Sequence, residues 1–321
     1  MKAAVYYETG APSVFRYEEF PDPECHPRGV VIDVEAISIE GGDVLGRAGG
    51  IMARVPHIVG YQCAGTIRQA GEAVTEYQPG QRVVCTMASG SHASVVSVPA
   101  AACWPIPEGL DIQQAATVPV AFGTADDCLF EFGHLKSGET VLIQGGAGGV
   151  GVAAIQLARR AGATVVATAS SDEKLARLVD EFGLHHGINY KSGEFVAQLR
   201  SLTAGKGADL VVDPVGGDTL NGSIAALAYR GRCVTVGNAS RGSTMVDARP
   251  LLQGNMSLTG VYLGAEMATP RARDMIAGHI ADMAAGHLRM PIDSTFPLSD
   301  AAGAHARIES RQAFGRVLLI P

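Results

Sequence analysis

Short runs of β-branched and aliphatic residues, broken by glycine and proline, fill the first 120 residues: Ala3–Tyr7, Val30–Ile39, Ala64–Gln69, Arg82–Met87 and His92–Val98. Such spacing predicts a compact all-β module. From about 121 to 263 the pattern changes. Apolar runs at Val141–Gln144, Val165–Ala169, Leu210–Asp213 and Cys233–Gly237 alternate with helical stretches at 151–161, 172–182, 193–203 and 218–228. Runs that are apolar throughout fit parallel strands covered on both faces, so this part reads as a doubly wound α/β sheet. After a strand-like Leu258–Tyr262 come a helix carrying Met275, Ile276, Ile280 and Met283, then Phe296-Pro297-Leu298, a second helix, and a closing strand Val317–Ile320. This tail is β-rich again and can return to the first module.

The first α/β unit carries the chemistry. Gly146, Gly148 and Gly151 have G-x-G-x-x-G spacing between a strand and the helix Val152–Arg160. In that context the first glycine permits a tight turn, the second lets a pyrophosphate approach the backbone, and the third packs the helix on the strand. The expected dinucleotide contacts run through Gly146, Ala147, Gly148, Gly149, Val150 and Gly151, with Gly237 at the end of the fourth strand in the same set. An acid about 20 residues on would select NADH by binding the ribose 2′-hydroxyl. The second strand ends instead in Ala169-Ser170-Ser171, and Asp172 falls in the next helix's first turn, where the helix dipole alone favours an acid. Lys174, Ser170 and Ser171 can serve a 2′-phosphate, so NADPH is the expected cofactor.

Composition narrows the class. With 321 residues, two domains are expected; 47% hydrophobic and 18% charged residues describe a globular chain. The net charge of −7 gives no general attraction to nucleic acid or to an anionic membrane. No apolar run reaches the ~20 residues of a membrane span, and the start Met1-Lys2-Ala3-Ala4 lacks a signal-peptide pattern, so the expected location is the cytoplasm. Cys25, Cys63, Cys85, Cys103, Cys128 and Cys233 form no Cys-x-x-Cys pair and read as reduced thiols.

Several motifs together resemble the zinc-free medium-chain dehydrogenases/reductases of the quinone oxidoreductase branch, over essentially the whole length. They are Gly60-Tyr61-Gln62-Cys63-Ala64-Gly65, Pro79-Gly80-Gln81-Arg82-Val83, Gly145–Gly151 with Gln156-Leu157-Ala158, Thr168–Lys174, Asn189-Tyr190, Asp213-Pro214-Val215-Gly216-Gly217 and Phe296-Pro297-Leu298. The resemblance implies a GroES-like β-rich substrate domain over 1–121, completed by 264–321, and a Rossmann NADPH-binding domain over 122–263. It implies that Ser170, Lys174 and Tyr190 line the adenosine phosphate, that the Thr124 hydroxyl lies near the nicotinamide, and that the protein is a homodimer. Zinc-dependent relatives place Cys, His, Glu and Cys at the positions of Glu40, Tyr61, Gln62 and Val120; only Glu40 is a good ligand, so no metal site is expected.

Two departures stand out. Relatives carry Asn-x-x-Asp where this chain reads Glu40-Gly41-Gly42-Asp43, and Thr-Ala-Tyr where it reads Thr124-Ala125-Asp126. Mutual repulsion and burial of Glu40 and Asp126 would raise a pKa toward neutrality and supply a proton donor or a cation site; alternatively, Glu40 caps a loop and Asp126 a helix. Tyr61 and His92 are either substrate-wall or packing residues, and Arg47, Arg54, Arg241 and Arg249 read as solvated surface. The expected activity is NADPH-dependent reduction of a small-molecule acceptor, a quinone or α,β-unsaturated carbonyl, without zinc. An enoyl-thioester or polyketide-tailoring reductase, and a cofactor-binding module with little activity, remain alternatives.

Overall fold

The computed structural model describes residues 1–321 and divides into two compact units, Met1–Val120 with Glu266–Pro321, and Ala121–Ala265. The first unit opens with strands β1 (Lys2–Tyr6), β2 (Arg16–Glu19) and β3 (Gly29–Ser38), helix α1 (Gly41–Gly49), then β4 (His57–Ile58), β5 (Gln62–Ala70), β6 (Arg82–Thr86), β7 (Val95–Pro99) and β8 (Cys103–Pro105). Helices α2 (Ile112–Ala116) and α3 (Val118–Asp126) follow. The α/β unit runs β9 (Thr140–Ile143), α4 (Gly149–Arg160), β10 (Thr164–Ala169), α5 (Asp172–Phe182), β11 (His186–Asn189), α6 (Phe195–Leu202), β12 (Ala208–Asp213), α7 (Asp218–Ala225), β13 (Leu227–Thr235), α8 (Arg249–Gly254) and β14 (Ser257–Gly260). The tail adds α9 (Leu263–Glu266), α10 (Pro270–Ala284), β15 (Ile292–Pro297), α11 (Ala301–Glu309) and β16 (Arg316–Ile320). No helix is long and apolar enough to cross a membrane.

In the first unit a seven-stranded sheet has the order β15-β16-β3-β5-β6-β8, with β7 on β3, beside a three-stranded sheet β2-β1-β4. The tail lies on this sheet: β16 is antiparallel to β3, Leu319 opposite Ile37. Inward residues of the alternating strands, among them Val30, Ile32, Ile67, Val83, Val96 and Leu319, form one core. Each buried aliphatic side chain contributes about 1.5–3 kcal/mol.

The second unit is a parallel sheet in the order β11-β10-β9-β12-β13-β14, the strand order 3-2-1-4-5-6 of dinucleotide-binding folds. Val141, Leu142, Ile143, Val165, Val166, Val211 and Val212 are buried on both faces, which explains their unbroken apolar runs. The helix predicted over 218–228 ends at Ala225. Leu227 and Ala228 enter the sheet instead, and the register with β12 shifts where Arg230 adopts φ +62°.

Candidate active site

The glycine-rich turn lies at the carboxyl end of β9. The left-handed residue of the turn is Gly145, φ +64°, rather than Gly146. Gly146 is required by packing: a Cβ there would lie 2.8 Å from Ala167 Cβ on β10. Gly148 caps α4 in extended conformation and is exposed; a Cβ placed on it would meet only Gly145 O, at 3.4 Å, so an anion can approach. Gly151 has no room at all, since its Cβ would sit 2.4 Å from Gly145 O and 2.7 Å from Gly146 Cα. The first bond into α4 is Val152 N–H to Gly148 O, 2.8 Å. The amides of Gly149, Val150 and Gly151 therefore stand at the positive end of the helix dipole, the arrangement that binds phosphate.

The neighbouring strand ends carry the residues expected on the adenosine side. Ala169 pairs with Asn189 in the parallel β10–β11 ladder, and Tyr190 N–H donates to Ala169 O at 3.2 Å, so Ser170 and Tyr190 leave adjacent strands together. Tyr190 is 42% exposed. Ser171 is the N-cap of α5, its Oγ accepting from Lys174 N–H at 3.3 Å. Asp172 lies in the first turn of α5, and its Oδ1 accepts from Asn189 Nδ2 at 2.9 Å. Asp172 is thus held by an asparagine, while Ser170, Ser171, Lys174 and Tyr190 share one end of the sheet. Gly237 follows β13 at that same end, where a Cβ would be 3.1 Å from Pro214 O.

A second polar cluster lies inside the first unit. Glu40 follows β3 and is the N-cap residue of α1, with only 3% of its surface exposed. Its Oε1 accepts from Arg316 Nη2 and Gln62 Nε2, and from the Ser38 hydroxyl at 3.5 Å, so three side-chain donors converge on one oxygen. Arg316 also donates to Ser38 Oγ (3.0 Å) and Ile39 O. Burial pushes the Glu40 carboxyl up to about 7, against the pull of the Arg316 cation. Asp43 accepts from Glu40 N–H at 2.8 Å through Oδ2, and its Oδ1 is buried without a hydrogen bond. Burial raises Asp43 well above the carboxylate range, and the Glu40 charge adds to the rise. Tyr61 lies against α1, where a Cβ on Gly42 would be 2.6 Å from its phenol oxygen. Burial raises that phenol, with Asp43 and then Glu40 adding to it. Gln62 Oε1 accepts from Val120 N–H in the first turn of α3, 3.0 Å.

Residues 26–108 match the alcohol dehydrogenase GroES-like domain, and 149–278 match the zinc-binding dehydrogenase family. A 2-haloacrylate reductase from a Burkholderia species is 32% identical, the match covering 99% of this chain and 98% of that protein. A quinone oxidoreductase of Pseudomonas aeruginosa is 33% identical, with 97% of each covered. The crystal structure of an Escherichia coli quinone oxidoreductase complexed with NADPH superposes with a TM-score of 0.93 at 29% identity, covering all of both chains. The chain belongs to the quinone oxidoreductase branch of the medium-chain dehydrogenases/reductases. The resemblance sets Glu40, Tyr61, Gln62 and Val120 against the zinc ligands of metal-dependent relatives outside that branch. Glu40, Gln62 and Val120 are hydrogen-bonded to one another through the Gln62 amide, and Tyr61 lies beside them, but the cation among them is the Arg316 guanidinium. No three His, Cys, Asp or Glu side chains converge to hold a metal ion. This side-chain set does not fit zinc.

Thr124 is buried on α3, and Asp126 is half-buried at its last residue. The Asp126 side chain makes no cap hydrogen bond to the next turn: its backbone is helical and runs on into a π-type turn over Asp127–Glu131. The carboxylate beside Glu40 inside the first unit is Asp43, which the sequence pattern did not single out. His92 is fully buried, its Nε2 3.1 Å from His305 Nε2, and burial pushes the pair down to about 3 and 2, so both are neutral packing residues rather than a substrate wall. Arg47 is not solvated surface either. It is completely buried, bonded to Gly10 O and Glu309, because α1 turns that face inward. Arg316 carried no local signal: its partner Glu40 lies 276 residues away.

Proposed function

We propose that this chain is an NADPH-dependent, zinc-independent reductase that delivers hydride to the β-carbon of an α,β-unsaturated carbonyl or to a ring position of a quinone. The observation that carries this reading is the Glu40 carboxyl, pushed up to about 7, with its side-chain donors gathered on one oxygen and an arginine in place of a metal. A conjugated acceptor gathers charge on oxygen and needs a proton there or at the α-carbon, not a Lewis acid. Glu40 supplies that proton, with the Tyr61 phenol held beside it. Thr124 offers its hydroxyl to the nicotinamide, and Asp126 serves acceptor binding. NADPH is held by Gly146–Gly151 and Gly237, with Ser170, Ser171, Lys174 and Tyr190 on its 2′-phosphate. NADPH oxidation screened against benzoquinones, alkenals, 2-haloacrylates and crotonyl thioesters tests the reading. Turnover of the first three classes is expected; NADPH binding without turnover of any would overturn it.

Three variants sharpen the roles. An acid that must be protonated makes kcat/KM fall as pH rises through about 7. In Glu40→Gln that descending limb is expected to vanish, with kcat/KM lower by roughly 10²-fold or more; Asp126→Asn keeps the limb and raises KM for the acceptor. An unaltered profile in Glu40→Gln would end the proton-donor role. For the cofactor, Lys174→Ala is expected to raise the NADPH Kd about tenfold and leave that of NADH unchanged. Equal losses for both would remove Lys174 from the phosphate site.

The partner is a second copy of the chain. Strand β14 is an open sheet edge, and Tyr229, Met245, Leu252 and Tyr262 are exposed around it, at 70–81%. A twofold mass by light scattering is the check. The six free thiols fit a reducing cytoplasm.

A further inference from the structure

A chain of buried side chains runs beneath the glycine turn. Gly145 N–H donates to Thr168 Oγ1 (3.0 Å), Thr168 donates to Gln144 Oε1 (2.7 Å), Gln144 Nε2 donates to Ser223 Oγ (3.1 Å), and Ser223 donates to Asp213 Oδ2 (2.7 Å). The other Asp213 oxygen accepts from Val215 N–H (2.7 Å) and Gly216 N–H (2.9 Å). All four side chains are buried. The direction of every link is fixed by the ends, because a backbone N–H can only donate and a carboxylate can only accept.

We propose that Asp213 is a positioning residue for the dinucleotide: through this one-way relay it fixes the backbone of the glycine turn and of the loop after β12. The inference rests on the NADPH reading above. Gly145 is the left-handed residue of the turn, and its carbonyl receives Gly148 N–H at 3.0 Å, so holding its N–H sets where α4 begins. Val215 lies against Gly145 from the other side, its Cγ2 3.6 Å from a Cβ placed there. One carboxylate therefore holds both walls that meet at Gly145.

Asparagine has the shape of Asp213 but breaks the direction. If its oxygen keeps the two loop amides, its NH₂ faces Ser223, which then meets two donors and has no acceptor for its own proton. Flipping Gln144 moves the fault to Thr168, which meets Gly145 N–H on one side and an NH₂ on the other. No arrangement satisfies every group, and an unsatisfied buried donor is costly.

Asp213→Asn and the isosteric Thr168→Val are expected to raise the NADPH Kd about tenfold, read from nicotinamide fluorescence without acceptor, and to raise KM for NADPH with kcat for the acceptor little changed. Thr168→Ser, which keeps the hydroxyl, stays within about twofold of wild type. Melting temperatures identify the folded variants, and Ser223→Ala serves where Asp213→Asn does not fold. Folded Asp213→Asn or Ser223→Ala and Thr168→Val with the wild-type Kd would overturn the positioning role. Failure of the wild-type chain to bind NADPH would instead overturn the cofactor reading.

Discussion

Alanine in place of Gly151 is expected to weaken NADPH binding severely. The added methyl would stand 2.4 Å from Gly145 O and 2.7 Å from Gly146 Cα, both backbone atoms of the turn itself. A flexible side chain could swing aside; these atoms cannot move without opening the turn or shifting the start of α4. Either movement misdirects the amides of Gly149, Val150 and Gly151, whose common aim is what binds a pyrophosphate. The NADPH Kd should rise by on the order of 100-fold, and the thermal stabilisation that saturating NADPH gives the wild type should disappear. Near-normal affinity would mean that phosphate is held elsewhere.

Arg316→Met removes the cation from a buried ion pair and should destabilise the protein by about 3–5 kcal/mol at pH 8, the usual cost of stranding one buried partner. The sign of the pH dependence follows from Glu40. Its folded pKa is already raised above the unfolded value, from 4.5 to about 7, so the folded state binds the extra proton and stability falls as pH rises through that window. Without Arg316 the carboxyl rises further and stays neutral at pH 5.5, where it needs no partner. Urea denaturation should therefore show a smaller deficit at pH 5.5 than at pH 8. Equal deficits would mean that Arg316 stabilises through its bonds to Ser38 and Ile39 alone.

Local features were legible in the sequence and distant ones were not. The glycine turn could be read because strand, glycines and helix are contiguous, although only the folded backbone shows that Gly145 takes the left-handed conformation while Gly146 serves packing. Helix α1 was hidden by its four glycines in nine residues; it forms because Val44 and Arg47 bury one face and Gly42 makes room for Tyr61. Strand β11 escaped the apolar pattern because only Ile188 among its four residues is buried. The Glu40–Arg316 pair and the Asp213 relay depend on residues brought together by the sheets, and no spacing rule connects them.

The return of the tail to the first sheet has a consequence for biosynthesis. All strands of the α/β unit lie between Thr140 and Gly260, so that unit can fold while the ribosome is still adding residues. The first unit cannot. Strand β3 waits for β16 at its edge, and the Glu40 carboxyl waits for a guanidinium made 276 residues later. Closure of so long a loop is slow and leaves an open strand edge in the interval, which is when a nascent chain is most exposed to aggregation.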